Sequence, residues 1–294
     1  MRRRRHRGRH RKDRTLPLGT VVIVASAAAG IYLTAAPGGA SAASSTVYVA
    51  PTGSDTARGT RAAPYRTLEK ALADVGPGTT IEVRGGTYRP TTALRAAVDG
   101  TADNRIRLRA YRGERATVDG SRLSGDSPLL SLRADFWTVS GLEFRNAPAG
   151  AVECTSCRGD VFRDLTTHAN GGTGLELRGA GTRNNLIHDV ASFDNRDRTP
   201  GRRTADGIAF TSGSGSGNVV SGARLQGNGD SGIELRGWGG TVTIERSHAT
   251  GNGGAQAELG RSADSYGNSW DTVNSSAAGD ETGTHAVMRR TPQR

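Results

Sequence analysis

The chain has 294 residues, a formal net charge of +11 and 34% apolar residues. Residues 1–42 hold nine Lys or Arg against one Asp, a balance of +8, so only 11 − 8 = +3 falls on the rest. A nearly neutral remainder removes the charge argument for nucleic-acid binding, and no nucleic acid is expected as a partner.

The chain opens MRRRRHRGRHRKDR, runs apolar over 16–36 and then reads PGGASA. A basic start, an apolar stretch and a small-residue site at Ala40, Ser41 and Ala42 read as a secretory signal, cleaved after Ala42. The rival reading is an uncleaved anchor, since the apolar run nearly spans a bilayer. The Ala and Gly content and the A-x-A site favour cleavage. The product is expected to be extracellular, monomeric, without stable membrane insertion, and folded as one domain over 43–290. Cys154 and Cys157 are the only cysteines. In an exported protein they form a small structural disulfide or stay as two buried thiols. No thioredoxin-like context surrounds them, and zinc would need two further ligands.

TVYVA at 46–50 reads as a strand. In YRTLEKALADV at 65–75, Leu68, Ala71, Leu72 and Val75 share one helical face, and Gly76-Pro77-Gly78 ends the pattern. This single early helix is expected to cap the end of a β-stack. TTIEVRGGTY at 79–88 is a strand and turn. Beyond it come only short strand candidates between Gly, Asn, Asp and Ser: IRLRAY, ATVDG, LLSL, FWTVSGLEF, VFRDLTTH, GLELRG, NNLIHDV, GIAF, GNVVSGARL, GIELRG and TVTIERSHA.

A repeat underlies them. Asn146, Asn170, Asn195, Asn228, Asn252 and Asn274 are spaced by 24, 25, 33, 24 and 22 residues. Val152, Leu175, Ile208, Ile233 and Ala257 keep step at 23, 33, 25 and 24. Both series share the one long interval, which holds the extra loop RDRTPGRRTA at 196–205. The pattern predicts an all-β fold, a right-handed parallel β-helix over about 46–285, with asparagines stacked inside a turn. A propeller blade needs a longer repeat.

If the apolar anchors point inward, the following residues point outward. They are Glu153, Glu176, Ala209, Glu234 and Glu258, an acidic column that needs screening, protonation or a cation. Arg178 and Arg236 stand two residues further on and offer screening. Asp206 and Asp230 are 24 residues apart and are expected on neighbouring rungs, a second reason to suspect calcium. The extra loop brings Arg196, Arg198, Arg202 and Arg203 to Asp206, and with Arg236 these suit an anionic sugar polymer. Its bland alternative is a surface insertion. His168, His188, His248 and His285 show no metal-ligand spacing, and TSGSGSGN at 211–218 is a turn, since no helix follows it.

The stretch NNLIHDVASFDN…TADGIAF…GSGNVVSGARLQGNGDSGIELRG resembles family 9 pectate lyases, calcium-dependent right-handed parallel β-helix enzymes. The opening VYVAPTGSD…APYRTLEKAL…GPGTTIEVRGGTY is also similar to theirs. The resemblance implies calcium held by Asp206, Asp230, Ser231 and Glu234. There Ser231 and Glu234 replace family aspartates of N-S-D-D-G-W-D-L. The family's catalytic lysine position falls on Glu258, in GNGGAQAELGRS at 251–262. The chain's two lysines, Lys12 and Lys70, lie far from it in sequence, so Glu258 or the nearby Arg261 is the candidate base. The implied activity is calcium-assisted β-elimination on an acidic polysaccharide such as pectate. The alternatives are a non-catalytic polysaccharide-binding protein and a glycoside hydrolase using paired carboxylates such as Glu234 and Glu258.

Overall fold

The computed structural model describes residues 45–260, 263–266 and 268–271. Residues 1–44, which include the stretch read as a secretory signal, together with Arg261, Asn274 and the stretch to residue 290, lie outside these. The described strands run from Thr46–Val49 to Ser269–Asp271 in three parallel sheets of nine, seven and eight strands. Each full coil gives one strand to each sheet, so every strand pairs with its counterparts one coil before and one coil after.

The corners are set locally. Gly141, Asp164, Asp189, Gly222 and Arg246 recur once per coil with φ of 70°, 53°, 51°, 70° and 50°. Asn146, Ala169, Asp194, Gly227 and Gly251 form a second left-handed column at 58°, 54°, 52°, 61° and 63°. Gly, Asn and Asp reach this region at the lowest cost, which is why they punctuate the strands. Segments such as FWTVSGLEF therefore bend into two strands, Trp137–Ser140 and Leu142–Arg145, around Gly141.

The helix is present but shorter than the apolar period suggests, Leu68–Ala73. Thr67 caps it, accepting from the Lys70 N–H, while Tyr65 is drawn off to bridge Val49. Leu68, Ala71 and Leu72 are buried, closing the core beside strands Thr46–Val49 and Leu94–Ala96.

Inside, the register is the one the anchors predict. Val152 aligns with Leu175, Leu175 with Ile208, Ile208 with Ile233 and Ile233 with Ala257. Trp137, Phe144, Phe162 and Phe210 are fully buried among them. Full burial of such side chains stabilises by roughly 1.5–3 kcal/mol each.

The asparagine ladder is real over four rungs. Asn170 donates from Nδ2 to Asn195 Oδ1, Asn195 to Asn228 and Asn228 to Asn252, each at 2.9 Å. Gln256 ends it, accepting from Asn252 at 2.7 Å. Asn146 does not belong to it. The interior position on that coil is Ala147, and Asn146 sits at the left-handed corner, bonded to Asp119. A second ladder, unnoticed in the sequence, links Asn185 Nδ2 to Asn218 Oδ1 at 2.9 Å, and Asp160 heads it by donating its N–H to Asn185 Oδ1.

Candidate groove and metal centre

The seven-stranded sheet carries a groove of about 310 Å³ edged by Glu153, Glu176, Arg178, Arg202, Thr211 and Arg236. Its outward column is as the alternation predicts: Glu153 aligns with Glu176, Glu176 with Ala209, Ala209 with Glu234 and Glu234 with Glu258. Two residues on, Thr155, Arg178, Thr211 and Arg236 form a parallel row. The arginines temper the acids: Arg178 Nη1 is 3.5 Å from Glu153, and Arg236 Nη2 is 3.5 Å from Glu234. Glu176 accepts from the Thr211 hydroxyl instead.

Asp206 is fully buried at the start of strand Ile208–Gly213. Its Oδ1 accepts the Ser231 N–H at 2.9 Å, and its Oδ2 is 3.5 Å from Thr173 Oγ1. Burial pushes its pKa up to about 8, and the charges of Glu234 and Asp230 push the same way. The Glu234 carboxyl is also raised, first by burial and then by Glu258 and Asp230, against the pull of Arg236. Two buried oxygens here make no hydrogen bond, Ser231 Oγ and Glu234 Oε2, the latter facing the Arg236 guanidinium at 3.5 Å. A buried oxygen without a hydrogen bond is costly, more so on a carboxylate.

The register corrects one expectation. One coil here is 25 residues, as Ile208 opposite Ile233 shows, so Asp206 faces Ser231 and not Asp230. The Asp230 N–H donates to the Ala205 carbonyl, one residue earlier along both coils. Its side chain lies 3.7 Å from Arg203 Nε of the extra loop. Gly254 lets it settle there, since a Cβ built on Gly254 would fall 2.4 Å from Asp230 Oδ1. Asp206, Asp230 and Glu234 thus share a neighbourhood without converging into one coordination sphere. Among the described residues, only Cys154, Cys157 and Asp160 bring three such ligand atoms within 4.8 Å of one another, and the two sulfurs are joined in a buried disulfide.

The donor set nevertheless fits calcium, a hard cation that takes oxygen ligands. Buried carboxyls that need compensation and two buried oxygens without a hydrogen bond are what such an ion would satisfy. Glu258 is exposed and directly opposite Glu234.

The five expected arginines divide. Arg202 and Arg236 line the groove. Arg203 faces Asp230, and Arg196 is an exposed partner of Asp194 at 3.6 Å. Arg198 folds back, donating to the carbonyls of Asn146 and Ala147 at 3.4 and 3.3 Å. The loop is pinned at its base, where Asp197 accepts from the Thr204 N–H and hydroxyl at 2.8 Å each. Thr211 also belongs to the site, on the strand beside Glu176, and Thr173 joins it from just before strand Leu175–Arg178. Lys70 is in the cap helix, 2.8 Å from Asp74.

A three-sheeted parallel β-helix with a groove of paired acids and arginines on one sheet is the class that fold and site define. The chain belongs to the Pel9A-like right-handed β-helix family, whose region it matches over residues 47–288. It is 36% identical to the pectate lyase PEL9 of Emericella nidulans over 236 residues, covering 70% of this chain and 57% of that protein. Pectate lyase L of Paenibacillus polymyxa is 35% identical over 63% of this chain and 45% of its own. The chain spans about half the length of these curated relatives. The crystal structure of pectate lyase Pel9A superposes with a TM-score of 0.63 at 28% identity, covering 71% of this chain and 54% of that one. A rhamnogalacturonan lyase shares the fold at a TM-score of 0.66 and 22% identity, over 77% of this chain and 62% of its own.

Proposed function

We propose that the β-helix domain works outside the cell on an acidic, uronate-type polysaccharide laid along the groove, with calcium held by Asp206, Ser231 and Glu234. The observation that carries this is a pair of buried oxygens without a hydrogen bond, Glu234 Oε2 and Ser231 Oγ, near buried Asp206, which neighbours Thr173 at the wall of the arginine-edged groove. Bound calcium supplies positive charge that holds a uronate carboxylate and acidifies the proton on the adjacent ring carbon. Arg178, Arg202 and Arg236 hold further carboxylates by charge-assisted hydrogen bonds. The buried carboxyls at 206 and 234 keep the polymer's negative charge from approaching unless a cation or protons offset theirs.

β-Elimination also needs a base. The C5 proton passes to it, the electron pair forms the C4–C5 double bond, the C4–O bond breaks, and the leaving oxygen takes up a proton. Among the described residues the one lysine is Lys70, in the cap helix and paired with Asp74. Glu258 stands opposite Glu234 and extends the acidic column, so its carboxylate is drawn into that charge cluster. Strong polymer binding with weak or absent lyase activity is therefore the expected behaviour. The test is calorimetry with polygalacturonate, with and without calcium, beside ultraviolet detection of unsaturated product at alkaline pH. Calcium-dependent binding by wild type, with product appearing only in Glu258→Lys, fits the proposal. Wild-type turnover at ordinary rates, on the order of 1–1000 per second, would show that position 258 has been misread. Loss of binding in every condition would remove the groove itself.

The register favours one second reading. Glu234 and Glu258 lie on adjacent rungs, roughly 4.8 Å apart, near the roughly 5 Å carboxylate separation of retaining glycosidases. Reducing ends released without ultraviolet absorbance would support hydrolysis.

A further inference from the structure

The outward column does not stop at Glu153. Glu153 aligns with Ser131, and Ser131 with Arg95 on strand Leu94–Ala96. Arg95 is exposed, and among the described residues no hydrogen bond or ion pair to a carboxylate engages it. It lines a second cavity of about 430 Å³, together with Leu72 and Glu69 of the cap helix, Leu123, Thr92 and Ser124. Segment 123–128 lies between the two cavities: Asp126 and Pro128 line the first, Ser124 and Ser127 the second. The two are therefore neighbouring stretches of one face.

We propose that this second cavity is a metal-independent carboxylate subsite for the same polysaccharide, with Arg95 as its anchor. The proposal rests on the groove being a polyuronate site. A free guanidinium matches a carboxylate bidentately. The apolar surface of half-buried Leu123 suits the flat face of a sugar ring. The hydroxyls of Thr92 and Ser124 and the carboxylate of Glu69 suit its hydroxyl groups, Glu69 as acceptor. Five strand steps separate Arg95 from Glu234, roughly 24 Å at the usual spacing. A short oligomer seated at the acidic end does not reach Arg95, while a long one does. The face thus holds carboxylates through a cation together with Arg178, Arg202 and Arg236 at the acidic end, and through Arg95 without a cation at the capped end. Chain-length preference follows from that separation.

The experiment is calorimetry of the intact protein with trigalacturonate and octagalacturonate at fixed calcium. Arg95→Ala is expected to weaken octagalacturonate by about tenfold, the scale of one charge-assisted hydrogen bond, and to leave trigalacturonate and calcium affinity unchanged. Arg95→Lys recovers part of the loss. Equal weakening of both oligomers, or no weakening of the longer one, overturns the subsite while leaving the groove intact. If wild type binds neither oligomer, the polyuronate reading fails, and the subsite fails with it.

Discussion

Asp160 stands where Asn185 and Asn218 stand on the next two coils, an acid at the head of an amide ladder. It accepts the Trp137 N–H, and Cys154 Sγ lies 3.7 Å from its other oxygen. Burial pushes its pKa up to about 8, with Asp135 and Asp99 acting the same way and the Trp137 N–H and Arg105 opposing. A carboxyl raised above its unfolded value of 3.8 contributes stability below that pH and loses it as pH rises through about 8. Asp160→Asn keeps the shape and acceptor without the charge. Urea denaturation between pH 5 and 9 is expected to show wild type weakening as pH rises and the variant weakening much less. Asp206, shifted in the same direction, leaves the variant a residual slope. Parallel profiles would mean that Asp160 is not the titrating group. Nothing in the local sequence marks Asp160 as different from the surface aspartates around it; its burial comes from the coils above and below.

The two asparagine ladders are the polar counterpart of the apolar stack at the level of single elements. Asn195 Oδ1 accepts from both the N–H and Nδ2 of Asn170, while its own Nδ2 donates to Asn228 and Ser192. Asn195→Ala leaves several buried groups unpaired and is expected to cost about 2–4 kcal/mol in urea denaturation. Asn146→Gly, at a left-handed corner outside the ladder, is expected to cost less than about 1 kcal/mol. Equal costs would contradict the assignment of the ladder. Strand positions were legible because the period of two and the recurring coil length reinforce each other. Strand Leu94–Ala96 was not, because 36 residues separate Leu94 from its partner Leu130. The repeat is hidden there, and Arg95 with it.

At the scale of the whole molecule, each coil packs only on its neighbours, so a ligand that bridges coils stiffens the stack. Calcium held between Asp206 and Glu234 would tie two adjacent coils. A ligand at a hundredfold excess over its Kd stabilises by about 2.7 kcal/mol. Scanning calorimetry is therefore expected to show Tm rising with calcium in wild type and not in Asp206→Asn. An equal rise in both would move calcium elsewhere. Among the described residues no helix is long and apolar enough to cross a membrane, and the strands carry the structure.

By itself the sequence determined the parallel β-helix, the inward anchors, the outward glutamates, the cap and the absence of a lysine at position 258. These follow from periodicity and residue identity, which a linear string displays. Only the tertiary structure decided that Asp206 faces Ser231, that Asp230 turns to Arg203, that Arg198 folds away while Arg202 enters the groove, and that Arg95 continues the acidic column. Each depends on the register between coils and on the path of an insertion. A shift of one residue reverses the direction of a side chain, and the 24-residue spacing of Asp206 and Asp230 falls one short of the 25-residue coil between Ile208 and Ile233.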